Sequence, residues 1–457
     1  MKLQFEYGHG LMEADLPDDR TDVFIPGETV KDPPYLKDPV KATEEAILHP
    51  IDLPPISEIA KPSSTVTIVF PDRVKGGEQA NSHRKVSIKI ILDELKKAGV
   101  KKENILLICS NGLHAKNTEQ QIHNILGDEI FNAFWPSHQI INHDSEDYEH
   151  LVNCGYDEQG DIVWMNKYVY ESDIAFLIGH ALGNPYGGYS GGYKHCATGI
   201  SHWQTIATNH VPAVMHKKDF VPVSSHSTMR SKFNSIGAHM EKSMGKKFFC
   251  VDAVLDTKAR QIAVYAGTAG EVQKESWKIA DKRTYVPYAE EKYDVMVFGL
   301  PQFFHYGDGM GTNPIMIMQA LSAQVIRHKR VMKDNCVIIA SSICDGWFHD
   351  ELFTGYRQIY EMFQTNSNQI LPDLNKYREL FATNEEYIRN YRFAHGFHPF
   401  HGFSMISCGH IAEMNTSAIY ICGAREPGYA RGMGLKTRAT INEALKDCER
   451  IDRKSVV

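Results

Sequence analysis

Short apolar runs rich in β-branched residues alternate along the chain with segments in which apolar residues recur every three or four positions. Runs of the first kind predict strands, and segments of the second kind predict amphipathic helices. The predicted strands lie at residues 65–70, 105–109, 173–179, 248–255, 293–299, 336–341 and 417–423. The predicted helices lie at residues 87–99, 118–127, 313–331 and 441–451. This alternation is typical of α/β proteins whose sheets are largely parallel.

Two segments interrupt the alternation. The Pro-rich stretch 33–63 predicts irregular structure before the first central strand. Residues 282–294 follow a helix-like stretch and precede a new strand, which is the pattern of a linker. We therefore predict two α/β domains, residues 1–285 and residues 286–457.

Polar loops that contain glycine follow five of the predicted strands. These loops are residues 71–77, 110–117, 179–195, 301–311 and 342–350. In open parallel sheets, ligands bind outside the carboxyl ends of the strands. We therefore predict a polar active-site cleft between the two domains.

The loop GGYSGGYK at residues 187–194 has four glycines in eight residues and ends on Lys194. Its backbone can approach a ligand closely and can aim N–H groups at an anion such as phosphate. His195 stands where a Walker A motif requires Ser or Thr, and the glycine spacing is not that of the dinucleotide fingerprint. The loop predicts an anion or cofactor site of another type, and a flexible surface loop is the alternative.

The composition narrows the class of function. The 457 residues include 49 Lys and Arg against 56 Asp and Glu, a formal charge of −7. This balance argues against nucleic acid or an anionic membrane as the main partner. Because no apolar run is long enough to span a membrane and the nine cysteines form no C-x-x-C pair, we expect a cytoplasmic protein without disulfides.

Histidine is unusually frequent, with 22 residues. Seven histidines lie between residues 180 and 239, and four lie in the aromatic segment 395–410. Imidazole titrates near neutrality and is a common ligand of Ni, Zn, Cu and Fe. The spacings match no zinc signature, and each histidine taken singly also fits a hydrogen-bonded packing role. A zinc hydrolase with three protein ligands stays open as an alternative.

The run IGHALGNPYGGYSGGYK, with NGLH upstream and His210 downstream, resembles the lactate racemase family, whose members use a nickel-pincer nucleotide. The family pattern is a G-[FY]-S-G-G-x-K loop with a nickel-binding histidine sixteen residues after its lysine. Lys194 and His210 keep that spacing. The resemblance covers nearly the whole chain, from YGHGLMEADLP at residues 7–17 to the C-terminal domain.

The resemblance implies a cofactor site on the N-terminal domain. Lys194 would anchor the pyridinium-derived nucleotide, covalently in some members, and His210 would be the protein's ligand to nickel. The other ligands, two sulfurs and a carbon, would belong to the cofactor, and this donor set suits square-planar Ni(II). The implied partners are the cofactor-synthesis enzymes and a small hydroxy acid. The implied cofactor-binding residues are Asp72, Ser190, Gly191, Gly192, Lys194 and His210.

The resemblance also implies the chemistry. His114 would remove the proton of the substrate's C2 hydroxyl while hydride moves from C2 to the cofactor. Return of hydride to the opposite face of a planar 2-keto intermediate would invert C2. Lactate racemases use a second histidine ten residues before the lysine, where this chain has Asn184, which cannot take up a proton. His180 is our candidate for the second acid/base group; a histidine of 395–401, a water molecule and a substrate hydroxyl are alternatives.

The positions that would contact substrate depart from the family pattern. Arg73 or Lys75 would replace the carboxylate-binding arginine of the D-x-T-R motif, and the lysine that lactate racemases offer from the C-terminal domain has no counterpart near Gln302. We expect substrate to be bound by Arg73, Lys75, Asn184 and Gln302.

The donors and acceptors of the predicted cleft are more numerous than three-carbon lactate needs. They are Asn184, Gln302, His305, Tyr306, Asp345, Trp347 and the histidines of 395–401. A polar site rejects ligands that leave its groups unpaired, so we expect a C2 epimerase of a polyhydroxylated sugar acid such as gluconate. A longer aliphatic or dicarboxylic 2-hydroxy acid stays open as substrate, as does a sugar-acid-binding homologue without turnover.

Overall fold

A computed structural model gives the fold; it describes residues 1–217, 219, 226–283, 291–364 and 370–454, with the backbone alone at 370–375 and 451–454. The strands are β1 (Lys2–Gly8), β2 (Gly10–Asp15), β3 (Val66–Phe70), β4 (Ile105–Cys109), β5 (Ile140–Asn142), β6 (Leu151–Tyr156), β7 (Ile162–Asn166), β8 (Ile174–His180), β9 (Gly183–Asn184), β10 (Gly188–Tyr189), β11 (Phe249–Leu255), β12 (Gln261–Gly267), β13 (Tyr293–Pro301), β14 (Phe303–Phe304), β15 (Gly307–Asp308), β16 (Met332–Ser341), β17 (Ala418–Cys422) and β18 (Lys436–Arg438). The helices are α1 (Pro39–Leu48), α2 (Ile56–Ile59), α3 (Arg73–Gly76), α4 (His83–Lys97), α5 (Glu119–Phe134), α6 (Lys167–Glu171), α7 (Tyr193–Gly199), α8 (Trp203–Ala207), α9 (Pro212–Met215), α10 (Thr228–Met244), α11 (Ala269–Arg283), α12 (Pro314–His328), α13 (Tyr356–Phe363), α14 (Ile370–Ala382), α15 (Glu385–Phe393), α16 (Phe400–Met414), α17 (Pro427–Gly432) and α18 (Ile441–Lys454).

The chain divides into two compact units. The first unit comprises Ile25–His210 and Lys217–Tyr285, and the second comprises Met1–Phe24, Val211–His216 and Val286–Val457. This division differs from the predicted domains 1–285 and 286–457, because the first 24 residues and residues 211–216 belong to the second unit. The N-terminal residues do so because β1 pairs with β13 in a parallel ladder and with β2 in an antiparallel one.

The first unit is built on a six-stranded sheet of order β12-β11-β8-β3-β4-β5. All neighbouring strands are parallel except β12, which is antiparallel to β11. Every residue of β3 is buried, as is expected for a parallel strand covered on both faces. Apolar side chains of α4 and α5 pack into the same core as β3, β4 and β8.

The second unit has a six-stranded sheet of order β18-β17-β16-β13-β1-β2, parallel except for the edge strand β2. Helix α16 packs against α12 and is buried along most of its length. Because α16 carries His401 and His410 and follows buried His398, these histidines belong to the core of the second unit. The predicted α/β class with largely parallel sheets is confirmed by both units.

One prediction for the N-terminal region is wrong. The stretch 33–63 is not irregular throughout, because it contains α1 and the short α2. Pro39 occupies the first turn of α1, where its missing N–H costs nothing, and the Asp38 carboxylate caps that turn by accepting a 3.0 Å hydrogen bond from the N–H of Lys41. The predicted linker at 282–294 falls largely on residues 284–290, which lie outside the described part of the chain. A search of the described helices finds none that is both long and apolar enough to cross a membrane.

Candidate active site

The predicted chemistry-bearing residues of the first unit follow three neighbouring parallel strands. Asp72 comes two residues after β3, His114 lies in the loop after β4, and Lys194 closes the loop that follows β8. Strand β3 lies between β4 and β8 in the sheet. The carboxyl ends of these strands therefore bring the three loops to one edge of the sheet.

Asp72 and His114 form a hydrogen-bonded pair. The His114 Nδ1–H donates to Asp72 Oδ2 over 2.7 Å, and Asp72 Oδ1 accepts from the N–H of Lys75 and so caps α3. Burial raises the pKa of Asp72, but the charges and hydrogen bonds of His114 and Lys75 outweigh it and hold the pKa below its usual value. Burial lowers the pKa of His114, and the Asp72 carboxylate opposes that effect. At neutral pH the pair is a carboxylate beside a neutral imidazole, which is the arrangement of a general base.

Arg84 fixes the loop that carries this pair, a role that the sequence did not indicate. Its fully buried guanidinium donates hydrogen bonds to the carbonyl oxygens of Pro71 at 2.6 Å, Asp72 at 3.4 Å, Gly76 at 3.0 Å and Gly77. Burial lowers the pKa of Arg84 to about 10, so the guanidinium stays charged. The hydrogen bonds of the charged guanidinium thereby fix the backbone of residues 71–77.

The loop with His114 docks onto the helix with Lys194. Gly112 has φ +53°, and a Cβ there would lie 1.9 Å from the carbonyl oxygen of Thr198 in α7. The N–H of Gly112 donates to the carbonyl oxygen of Gly199 over 3.0 Å. Only glycine permits this close approach, which fixes the His114 loop against α7.

The two glycines before α7 permit close packing rather than flexibility. Gly191 and Gly192 have φ +80° and +52°. A Cβ on Gly191 would lie 2.4 Å from Asp252 Oδ2, and a Cβ on Gly192 would lie 2.8 Å from Gln273 Nε2. The two glycines therefore pack against buried polar side chains of β11 and α11, and the loop is part of the folded unit.

Ser190 and Asn184 satisfy backbone groups of their own loop. The Ser190 hydroxyl donates to the carbonyl oxygen of His180 over 2.8 Å. Asn184 Oδ1 accepts from the N–H groups of Tyr186 at 3.0 Å and Gly187 at 2.8 Å, an Asx-type turn. These contacts explain the residue types locally; the predicted roles of Ser190 in cofactor binding and of Asn184 in substrate binding stay predictions.

Lys194 is a buried amine with an exposed fraction of 8%. Burial lowers its pKa well below the usual value, and the charges of Lys75 and Arg230 lower it further, while Asp72 opposes them. None of the described residues forms an ion pair with it. A lowered pKa favours the uncharged amine, which is the nucleophilic form of lysine.

His210 presents one nitrogen for a ligand. Its Nδ1–H donates to the side-chain oxygen of Asn209, so the lone pair lies on Nε2. Burial lowers the pKa of His210 to about 3, with further lowering by Lys194, Lys75 and His114. A neutral imidazole fixed in one tautomer is what a metal ligand requires.

The two candidates for binding a substrate carboxylate have different surroundings. The backbone N–H of Arg73 donates to Asn117 Oδ1 over 3.0 Å, and its Nε lies 3.9 Å from Glu78 Oε1. The charge of Lys75 acts on Asp72, His114, Lys194 and His210. Lys75 is therefore electrostatically coupled to the site.

The remaining predicted residues lie at the ends of β8 and β13. His180 ends β8, and burial lowers its pKa to about 3 with help from His195 and Lys194. Gln302 belongs to the second unit, where its Nε2 donates to Asp308 Oδ1 over 2.9 Å. Its role in substrate binding and the predicted cleft stay predictions.

Protein ligands for a metal are few in the part of the chain that the structure describes. Nowhere in that part do three His, Cys, Asp or Glu side chains converge as an ion would need. A zinc hydrolase needs three protein ligands, so the described residues give this alternative no support. The single imidazole of His210 suits a metal whose other ligands come from a bound group.

Comparisons with known proteins point to one family. Residues 7–221 match the family description "Lactate racemase N-terminal domain". The lactate racemase of Lactiplantibacillus plantarum is 24% identical over 249 residues, which are 54% of this chain and 55% of that protein. The chain thus spans about half the length of the curated relative that it matches.

Solved structures with this fold are also known. The lactate racemase apoprotein from Thermoanaerobacterium thermosaccharolyticum aligns with a TM-score of 0.71 and 17% identity, over 99% of this chain and 95% of that one. A protein from Thermotoga maritima aligns with a TM-score of 0.54 and 14% identity, over 91% and 93% of the two chains. At these identities the structural matches establish the fold. Residues 7–221 of the chain are thus similar to the N-terminal domain of lactate racemases, and the fold of the chain is that of the lactate racemase apoprotein.

Proposed function

We propose that this protein is an isomerase that inverts C2 of a 2-hydroxy acid, with a nickel-pincer nucleotide held by Lys194 and His210. The observation that carries the proposal is the grouping of four residues: the hydrogen-bonded Asp72–His114 pair, buried Lys194 with its lowered pKa, and His210 with its lone pair on Nε2. The relatives named above are lactate racemases, which supports the same class of reaction.

The residues present fit such a cofactor. Burial lowers the pKa of Lys194 and so favours the neutral amine that a covalent anchor requires. His210 offers one nitrogen donor to nickel. Lys75 and Arg230 add positive charge beside Lys194, which favours an anionic nucleotide. When bound, this group supplies a hydride acceptor and donor for the substrate's C2.

His114 takes the hydroxyl proton in this proposal. Because Nδ1–H is held by Asp72, Nε2 is the nitrogen that accepts the proton. The imidazolium that forms lies beside the buried Asp72 carboxylate, which stabilises it. Asp72 also keeps the ring oriented, so that no reorganisation is needed as the proton moves.

Lys75 binds the substrate carboxylate, and His180 handles the proton on the other face. Lys75 is a point charge and does not form the bidentate fork of an arginine, so the carboxylate is held less rigidly than by a guanidinium. His180 is neutral at pH 7 because its pKa is lowered to about 3. In this neutral form it can accept the hydroxyl proton of the substrate whose C2 has the opposite configuration.

We further propose a polyhydroxylated acid, such as an aldonate, as the substrate. Asn184 replaces the histidine that the resemblance implies, and the segment 300–309 contains no lysine. Both changes exchange groups that can carry charge for neutral donors and acceptors, which suit hydroxyl groups. A longer aliphatic or dicarboxylic acid is the second candidate, and it would gain nothing from these changes.

The test uses protein produced together with the cofactor-synthesis enzymes. The protein is incubated with 2-deuterated gluconate, and NMR and chiral chromatography follow the configuration and the deuterium content of C2. We expect C2 to be inverted with retention of deuterium. Lactate and a longer aliphatic 2-hydroxy acid are the comparison substrates. Free exchange of the deuterium with solvent would contradict hydride storage, and faster turnover of the aliphatic acid would reject the sugar-acid assignment. Binding without inversion by any substrate would indicate a binding protein.

A further inference from the structure

Two histidines lie in contact at the carboxyl edge of the first unit's sheet, and one of them has no role in the proposal above. His180 ends β8, and His83 begins α4, which packs against β8. Their rings meet edge to face, with centroids 6.3 Å apart and an interplanar angle of 75°. His83 therefore lies against the proposed second acid/base group.

Three ring nitrogens of this pair have no hydrogen-bond partner among the described residues. His83 is 2% exposed, and both of its ring nitrogens are buried without a described partner, as is Nδ1 of His180. Burial of unpaired polar atoms is costly. If residue 83 served packing alone, an apolar side chain would serve better, so the imidazole calls for another explanation.

The two rings can satisfy each other. A neutral imidazole carries one N–H donor and one lone pair, so each ring offers what the other lacks. The ring centroids are 6.3 Å apart, so a link between nitrogens of the two rings needs one bridging water molecule or a small approach of the rings. The connection would run from Nδ1 of His180 to a nitrogen of His83.

We propose that His83 is a positioning residue for His180, holding the Nδ1 side of that ring so that Nε2 faces the substrate. A histidine that transfers protons through one nitrogen needs a partner on the other to fix its tautomer and orientation. Asp72 is that partner for His114, and His83 is the neutral counterpart for His180. The inference rests on the proposed function, because it takes His180 as a proton-transfer group.

The surroundings keep both rings uncharged. Burial lowers the pKa of His83 well below its usual value, with further lowering by His180, Arg84 and His195. Because neither ring carries charge, the pair lacks the charge that Asp72 supplies to His114. The groups that face His180 are His83 and Arg84 of α4, Lys194 and His195 of α7, and Arg283 of α11.

Stability of the cofactor-free protein gives the first test. His83→Phe keeps an aromatic ring in place but leaves Nδ1 of His180 without its partner, so we expect a small fall in Tm, and an unchanged or higher Tm would contradict the connection. His143→Phe is the matched control: its fully buried ring is paired with the carbonyl oxygen of Ser201 at 3.0 Å and Nδ2 of Asn166 at 3.2 Å, and Tm should fall. A fall for His83→Phe as large as that of the control, or failure to fold, would overturn the proposal.

The tautomer of His180 gives the second test, independent of turnover. In ¹⁵N-histidine-labelled protein, with His180→Gln to assign the signal, we expect Nδ1–H to dominate. His83→Phe should mix the two tautomers, and His83→Gln, which keeps a donor and an acceptor, should restore Nδ1–H. An identical tautomer signal in wild type and His83→Phe would reject the positioning role.

Turnover separates this inference from the proposed function. In enzyme loaded with cofactor, His83→Phe should lower kcat by about 10- to 100-fold with little change in KM, as loss of an orienting partner does. His83→Gln should recover part of kcat, and unchanged kcat in His83→Phe would contradict the inference. If substitution of His83 changes the tautomer of His180 but the wild-type protein inverts no hydroxy acid, then the contact between the two histidines is supported and the proposed function is rejected.

Discussion

Replacement of Asp72 by Asn tests the hydrogen-bonded pair quantitatively. The carboxylate is fully buried, and its Oδ2 lies 2.7 Å from Nδ1 of His114. When His114 takes a proton, its new positive charge lies roughly 4 Å from the Asp72 carboxylate, and at an effective dielectric constant of about 20 the two attract by about 4 kcal/mol. Net values for hydrogen bonds to charged groups are about 1.5–3 kcal/mol. Asp72→Asn should therefore lower kcat/KM by about 10- to 1000-fold.

The assay is the initial rate of C2 inversion as a function of pH. Asn keeps an oxygen to cap the N–H of Lys75, so the loop should stay in place. Because the Asp72 charge raises the pKa of His114, its loss should move the acid limb of the profile to lower pH while the plateau falls. Asp144→Asn, which removes the carboxylate 2.7 Å from Lys116 Nζ, is the control. A plateau equal to that control, or an acid limb at higher pH, would refute the reasoning.

Three further predictions address substrate binding, backbone geometry and acid stability. Lys75→Ala should raise KM about 10- to 150-fold through loss of a charge-assisted hydrogen bond, whereas Arg73→Ala should change KM little; equal effects in steady-state kinetics would reject Lys75 as the carboxylate anchor. Gly112→Ala should lower the free energy of unfolding in urea by about 2–5 kcal/mol, because a left-handed backbone and a backbone clash add. Gly155→Ala, at φ +79° in open space, should lose less, and an equal loss would contradict the clash. Four histidines stay neutral in the folded protein but protonate on unfolding below about pH 6.5. The free energy of unfolding should therefore fall between about pH 6.5 and pH 4, by up to about 1.4 kcal/mol per pH unit for each histidine. A Tm that is flat over this interval would contradict the lowered pKa values, which are about 3 or 4 for His143, His180, His195 and His210.

The central strands were predictable because each is a short apolar run flanked by polar loops. Strand β4 coincides with the predicted residues 105–109, and burial on both faces is the physical reason that such runs are uninterrupted. Strand β1 and the edge strand β12 were not predicted. Strand β1 alternates between exposed and partly buried positions and pairs with β13, almost 300 residues away. No local pattern reveals such a partner.

The sequence indicated candidate site residues through motifs at the strand ends, but it did not indicate the contacts that form between loops after folding. The roles of Lys194, His210, Asp72 and His114 come from the resemblance and stay predictions. What the strand pattern alone predicted is that the loops after parallel strands meet at one sheet edge. The support from Arg84 depends on five contacts with residues 71–82 that arise only after folding. The contact of His83 with His180 depends likewise on the packing of α4 against β8.

The central claim is that Lys194 and His210 hold a nickel-pincer nucleotide. It is tested most directly by metal analysis and intact-mass measurement on protein produced together with the cofactor-synthesis enzymes. We expect nickel close to one per chain, a bound nucleotide or a mass adduct on Lys194, and loss of nickel in His210→Ala. Active protein that contains zinc and no nickel would contradict it.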